Sequence, residues 1–237
     1  MINNLMIPIS SLMRISAFLF IMMLILFNNI KGEMGMFLPE LFKVEDFNAL
    51  IDFLRKNPFA TVISSKDDMP YATQVPVMVD VVDEEVVLSF HLARPNPQNK
   101  TLEHNKNVLI QFTGAHGYVS SSWYEQEEVS TWNYQAAQLT GECVVLNEDE
   151  LMEDLKRLTD HYETGDNART FDILSEDVLK QAKGIIGYKV KVREACLKYK
   201  LSQNRSDKDY KNIVLNLRES DNQDDNRLAA EMEKLRD

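Results

Sequence analysis

Between Phe59 and His91 the sequence alternates short β-branched and aromatic runs with tight polar turns, and this pattern constrains the fold more than any other feature of the chain. The runs are 59–65 (Phe-Ala-Thr-Val-Ile-Ser-Ser), 71–82 and 86–91, and the turns are Lys66-Asp67-Asp68-Met69-Pro70 and Asp83-Glu84-Glu85. Strands joined this closely form an antiparallel meander, because a parallel crossover needs a much longer connection. Segments 107–113, 116–121 and 129–146 continue it, with Gly114 and Gly117 as expected bends or bulges. Farther on, Ile186, Tyr188, Val190 and Val192 alternate with Gly187, Lys189, Lys191 and Arg193, which predicts a strand with one buried face.

Helical periods frame the strands. Val44, Phe47, Leu50, Ile51 and Leu54 share one face of a helix over 44–56, which Asn57-Pro58 ends. Over 147–163 the period changes again: Leu151, Leu155, Leu158 and Tyr162 fall on one face, and Asn147 with Glu150 makes a capping box. A polar stretch and a second short helix from Ser175, its expected N-cap, to Lys183 complete a helical insertion at about 147–183. Residues 207–218 read as helix, and 219–237 as an acidic, mobile tail. No internal repeat is present. Strands, then helices, then a returning strand predict an α+β fold, a β-barrel core with helical decoration.

With 237 residues the chain can bury a sizeable core in one or two domains. Its formal net charge of -11 repels nucleic acid at long range and weighs against direct DNA binding. The densest positive stretch runs from Lys183 to Arg205, and in a strand such charges read as one solvated face. Cys143 and Cys196 each sit in an apolar run and read as buried free thiols. His91, His104, His116 and His161 are too scattered for a zinc site. Ser120-Ser121-Ser122 beside His116 lacks the glycine pattern of a nucleophile elbow, so a hydrolase is excluded.

Residues 1–35 form an apolar leader. Its core, Ile15 to Phe27, is short of the roughly 20 residues of a membrane span and suits a signal peptide better, yet no small-x-small cleavage site follows. The leading expectation is an internal start near Met34, hence a cytoplasmic protein. A membrane anchor or export through residues 15–27 is the alternative.

One turn carries chemistry. In Ser89-Phe90-His91-Leu92-Ala93-Arg94-Pro95-Asn96-Pro97-Gln98-Asn99-Lys100 an apolar strand breaks into a stiff turn before a helix at 98–104. Arg94 offers a planar fork to two phosphate oxygens, Lys100 adds a point charge, and the N–H groups opening the helix are expected to face the same space. A solvated basic turn accounts for the same residues equally well.

The stretch His91–Gln98, together with Gly114-Ala115-His116-Gly117-Tyr118-Val119-Ser120-Ser121-Ser122-Trp123-Tyr124, Thr131-Trp132-Asn133-Tyr134 and Lys200-Leu201-Ser202-Gln203-Asn204-Arg205, resembles the PaiB family of FMN-binding negative transcriptional regulators. The resemblance spans Phe37 to about Leu217. It implies a six-stranded antiparallel split barrel that dimerises, with C-terminal helices and an FMN site at each side of the subunit interface. The implied phosphate set is Arg94 and Lys100 supported by His91, Leu92, Ala93 and Asn99. Thr73, Gln74 and Val75 would lie along the ring edge, although the family often carries His where Gln74 stands. Trp123, Tyr124, Trp132 and Asn133 would form the stacking wall, from this or a partner subunit, with Gln203 and Arg205 near the flavin or the dimer seam. Aromatic residues in strands ordinarily serve packing, and that reading stands beside this one.

Three functions are compatible with such a domain. The first is a homodimeric regulator that senses flavin or redox status through a protein partner. The second is a flavin-dependent oxidoreductase or flavin reductase acting on a small molecule. The third is a haem-binding split barrel, for which His91 or His116 is the candidate ligand.

Overall fold

Asp67 and Asp68, at φ 50° and 60°, and Asp83 and Glu84, at 50° and 67°, turn the chain back on itself in two-residue loops. Positive φ at both central residues is the turn geometry whose twist matches a β-hairpin. The computed structural model describes residues 36–236, so the expected leader lies outside the described residues. No described helix is long and apolar enough to cross a membrane.

Strand β1 (Lys43–Val44) leads into helix α1 (Phe47–Lys56), and the meander follows as β2 (Phe59–Lys66), β3 (Met69–Pro76), β4 (Met78–Val82) and β5 (Glu85–Ala93). Helix α2 (Gln98–His104) precedes the long strands β6 (Asn107–Val119) and β7 (Thr131–Val145). The insertion is α3 (Glu148–Tyr162) and α4 (Glu176–Leu179). Strand β8 (Ile185–Lys200) and helices α5 (Asp207–Arg218) and α6 (Gln223–Arg236) complete the described chain.

All pairings are antiparallel and run in the order β3-β2-β6-β7-β8-β5-β4, with β1 added beside β8. The α+β class and the antiparallel sheet are as expected. The sheet is nevertheless open and has eight strands, where six were expected. One extra strand arises because the run 71–82 breaks after Pro76: β3 pairs with β2, while β4 pairs with β5. Proline has no N–H to continue a ladder. Helix α2 follows β5 and packs on β2 and β3 at one end of the open sheet. Gln98 Nε2 donates to the carbonyls of Val62 at 3.0 Å and Tyr71 at 3.3 Å, and Thr101 shares a hydroxyl contact with Ser64.

Register slips between Thr113 and His116, around the expected Gly114, and again between Thr140 and Gly141. A Cβ on Gly141 would stand 2.4 Å from the Lys191 carbonyl oxygen, so this bulge requires glycine. The capping box of Asn147 and Glu150 forms at the start of α3, whereas Ser175 precedes α4 without a side-chain capping bond.

The main core lies inside the sheet under α1 and includes Leu54, Val62, Leu88, Ile110 and Phe112. A second core gathers Val119, Tyr124, Leu201, Tyr210, Ile213, Leu217, Leu228 and Met232. The second core corrects the expected mobile tail. Helix α6 folds back and buries Leu228, Ala229 and Met232, and Tyr210 donates its hydroxyl to the Met232 carbonyl at 2.6 Å. The basic stretch of β8 is also only partly a solvated face. Lys191 and Arg193 are exposed and pair with Glu85 and Glu142, but Lys198 is 5% exposed, donates to the Phe37 carbonyl and lies between the rings of Phe37 and Tyr134.

Candidate functional site

At the end of β5 the chain turns through Arg94-Pro95-Asn96-Pro97 into α2, and buried amides hold this corner rigid. Asn99, 4% exposed, donates to the carbonyls of Ala93 at 2.9 Å and Arg94 at 3.0 Å and accepts from the Tyr188 hydroxyl at 2.9 Å. Asn96 donates to Thr73 Oγ1 at 3.0 Å and thereby ties the turn to β3. On this frame Arg94 is exposed. Its Nε donates to the Lys183 carbonyl at 2.8 Å and its Nη2 to the Ile185 carbonyl at 3.1 Å, which leaves Nη1 as the donor available to an anion. Lys100 is exposed on α2.

Two expectations for the corner change. Asn99 spends its amide inside the protein and acts as frame. The N–H groups of the first helical turn are also spent: Gln98 on Asn96 Oδ1, Asn99 on the Asn96 carbonyl and Lys100 on the Pro97 carbonyl. A phosphate here would be held by side-chain cations.

Leu92 is buried in the core opposite Ile186, and Ala93, exposed, ends the strand. His91 is half-buried and pairs with Gly187. Burial pushes its pKa down, against the pull of Asp154, whose carboxylate is itself buried and accepts from Ser89 Oγ at 2.5 Å. Beside Arg94 lies a cleft of about 400 Å³ walled by Leu151, Met152, Leu179 and Ala182. Thr73 and Gln74 stand on β3, the outermost strand of one sheet end, Gln74 exposed and Val75 packed into the core.

The aromatic candidates lie elsewhere. Tyr134 pairs with Lys200 at one end of the β7–β8 ladder and Val145 with Tyr188 at the other, eleven residues or about 36 Å of strand away. At the far end Tyr124 is buried in the second core, with the Arg205 guanidinium 4.6 Å from its ring centre and Arg205 paired to Glu128 at 2.7 Å. Asn133, fully buried, bonds Ser202 and Met232 Sδ. Gln203 clamps its own turn by accepting from the Leu201 N–H and donating to the Tyr199 carbonyl. Trp123 packs partly buried against the same core. Trp132 differs: half-exposed, it stands on the outer face with Tyr118 and His116 at ring distances of 6.2 and 6.0 Å.

The corner therefore offers two cations, and the far end offers exposed rings but no free cation among the expected residues. Phosphate binding fits the first and ring stacking the second, and the two lie toward opposite ends of the β7–β8 ladder.

Residues 36–194 match a family model described as "Putative FMN-binding domain". The chain is 39% identical over 200 residues to "Protease synthase and sporulation protein PAI 2" of Bacillus subtilis, covering 84% of this chain and 97% of that protein. The chain belongs to the PaiB family of FMN-binding proteins. Its fold resembles solved structures of the FAD and heme binding protein from Mycobacterium smegmatis (TM-score 0.51, 23% identity, 70% of this chain and 78% of that one) and of flavocytochrome Anf3 from Azotobacter vinelandii (TM-score 0.51, 16% identity, 72% and 75%). These likenesses establish a split-barrel-type fold.

Sequence reasoning passed over Asn96, Gln98 and Tyr188. Asn96 and Gln98 lie within the motif itself. An Asn two residues before a helix is a turn-forming signal, whereas nothing local marks Tyr188 as the partner of Asn99.

Proposed function

We propose that this PaiB-family chain works as a homodimeric FMN-binding protein that reports flavin or redox status to a transcriptional response. The β5–α2 corner carries the reading, because its buried amides fix the turn that presents Arg94 at the surface and Lys100 stands exposed on the helix that follows. The separation of these cations from Trp132 and Tyr118 favours a second copy, whose exposed rings would cover the flavin held at the corner and β3. Bound flavin would supply hydride-transfer chemistry. The protein's part is to hold the phosphate on Arg94 Nη1 and Lys100 Nζ and to orient the ring along β3 through Thr73 and Gln74. The net charge of -11 makes a protein the better-suited regulatory partner than DNA.

The test is a titration of FMN into the full-length protein, followed by flavin fluorescence, with sedimentation to count subunits. The expected result is saturable quenching at one FMN per chain on a dimer. Absence of saturable quenching would overturn the reading. Anaerobic bleaching of the bound flavin by NADH or NADPH, with turnover when an acceptor is added, would move the chain to the flavin oxidoreductases instead.

A further inference from the structure

Helices α1 and α6 meet the β7–β8 ladder around a cavity of about 200 Å³ that shares no lining residue with the β5–α2 corner. Four of its lining residues are charged. Asp52 and Lys56 lie one turn apart on α1, and Arg227 and Glu231 one turn apart on α6. Opposite charges at this spacing ordinarily reach each other along the helix. Here no nitrogen–oxygen approach within 4.0 Å joins any two of the four among the described residues. Arg227 instead donates to Asn57 Oδ1 at 2.6 Å, and Glu231 accepts from Lys234 at 2.7 Å and from Gln135 at 3.2 Å.

Asn57, Gln135 and Tyr199 add polar groups to the lining, beside apolar Ala49 and Phe53. Gln135 is 3% exposed; its amide nitrogen is committed to Glu231, and its carbonyl oxygen remains an acceptor. Burial, aided by Glu231 and Asp52, pushes the Tyr199 phenol up to about 12, so it stays a hydroxyl donor at neutral pH. Burial alone would raise the Glu231 carboxyl, but Lys234, Gln135 and Lys56 together hold it below the usual range, and it stays charged.

We infer that this cavity binds a small zwitterion, an α-amino acid, with its ammonium group against Asp52 and Glu231 and its carboxylate against Lys56 and Arg227. Charges of both signs ring a space that they do not fill by pairing with one another. A ligand of single charge would meet one pair only, whereas a zwitterion meets both. Size agrees, since 200 Å³ is below the roughly 300–1,000 Å³ of pockets for drug-sized molecules and equals about seven waters. The ligand would fasten α6 to α1.

The inference is tested on the full-length protein by calorimetric titration with each of the twenty standard α-amino acids, and with acetate and methylammonium as single-charge controls. At least one amino acid should bind saturably at one per chain, at least tenfold more tightly than either control. Lys56→Gln and Asp52→Asn, both exposed helix positions, should each weaken that binding at least tenfold while FMN quenching is unchanged. Three results overturn the inference: no saturable binding by any amino acid, controls that bind as well, or affinity that survives both substitutions. Because FMN quenching is a separate readout, failure here and failure of the flavin reading are distinguishable.

Discussion

The two ends of the β7–β8 ladder use the same residue types for opposite purposes. At the β5–α2 corner, buried Asn99 and part-buried Asn96 spend their hydrogen bonds on a frame that keeps Arg94 and Lys100 outside. At the other end Asn133, Gln203 and Arg205 are turned inward or onto neighbours, and they close a second core around Tyr124 and Met232. An amide or an arginine within a family motif is therefore no guide to ligand contact until its hydrogen bonds are accounted for. One end is built to present charge, the other to seal apolar surface.

The sharpest way to break this contrast is to remove the seal. Truncation after Arg218 deletes Leu228 and Met232, both fully buried, and strands the Tyr210 hydroxyl. Burial of two such side chains is worth about 3–6 kcal/mol, and urea unfolding should show a loss of that size. An unchanged midpoint would mean that the C-terminal helices are not a core.

A frame residue comes next. Asn99→Leu keeps the volume but takes this partner from the Arg94 carbonyl and the Tyr188 hydroxyl, while the Ala93 carbonyl keeps the Asn96 N–H, at about 1–3 kcal/mol for a buried unsatisfied group. Unfolding should register a loss of about 3 kcal/mol, and FMN affinity should fall with it. Arg94→Ala should separate the two quantities. Its lost bonds are exposed, so stability should move by less than about 1 kcal/mol, while FMN binding weakens by about 1.5–3 kcal/mol. Lys100→Ala should weaken binding less and with a steeper salt dependence. If Arg94→Ala costs stability and spares affinity, the corner belongs with the sealed end.

The sequence disclosed what local rules govern. The meander follows from two-residue turns, the start of α3 from its capping box, and the bulge after Thr113 from Gly114. Helix α6 escaped because only Leu228, Ala229 and Met232 mark its inner face, and that face has meaning only against Tyr210 and Leu217, supplied by another helix. Its acidic first turn and basic last turn suit the helix dipole but read equally well as a charged tail. The motif residues of the site were legible as a group. Their division into frame and surface was not, since it turns on Tyr188, nearly ninety residues from Asn99.

The smallest expected effect tests whether His91 belongs to the frame or to the presented surface. Burial depresses its folded pKa, while the unfolded chain takes up a proton near the ordinary value of about 6.5. Below that pH the unfolded state binds more protons, so stability is complete above about 6.5 and is lost progressively as pH falls toward the folded value. The carboxylates that also respond in this window are common to the protein and to a His91→Gln variant. The difference between the two in urea stability, followed from about pH 7.5 down to 5, should therefore drift toward the variant as the solution becomes acidic. A flat difference would mean that the His91 imidazole is well hydrated in the folded protein. The imidazole would then be as available to a phosphate as Arg94, and the boundary between frame and surface would move back by three residues along the chain, into β5.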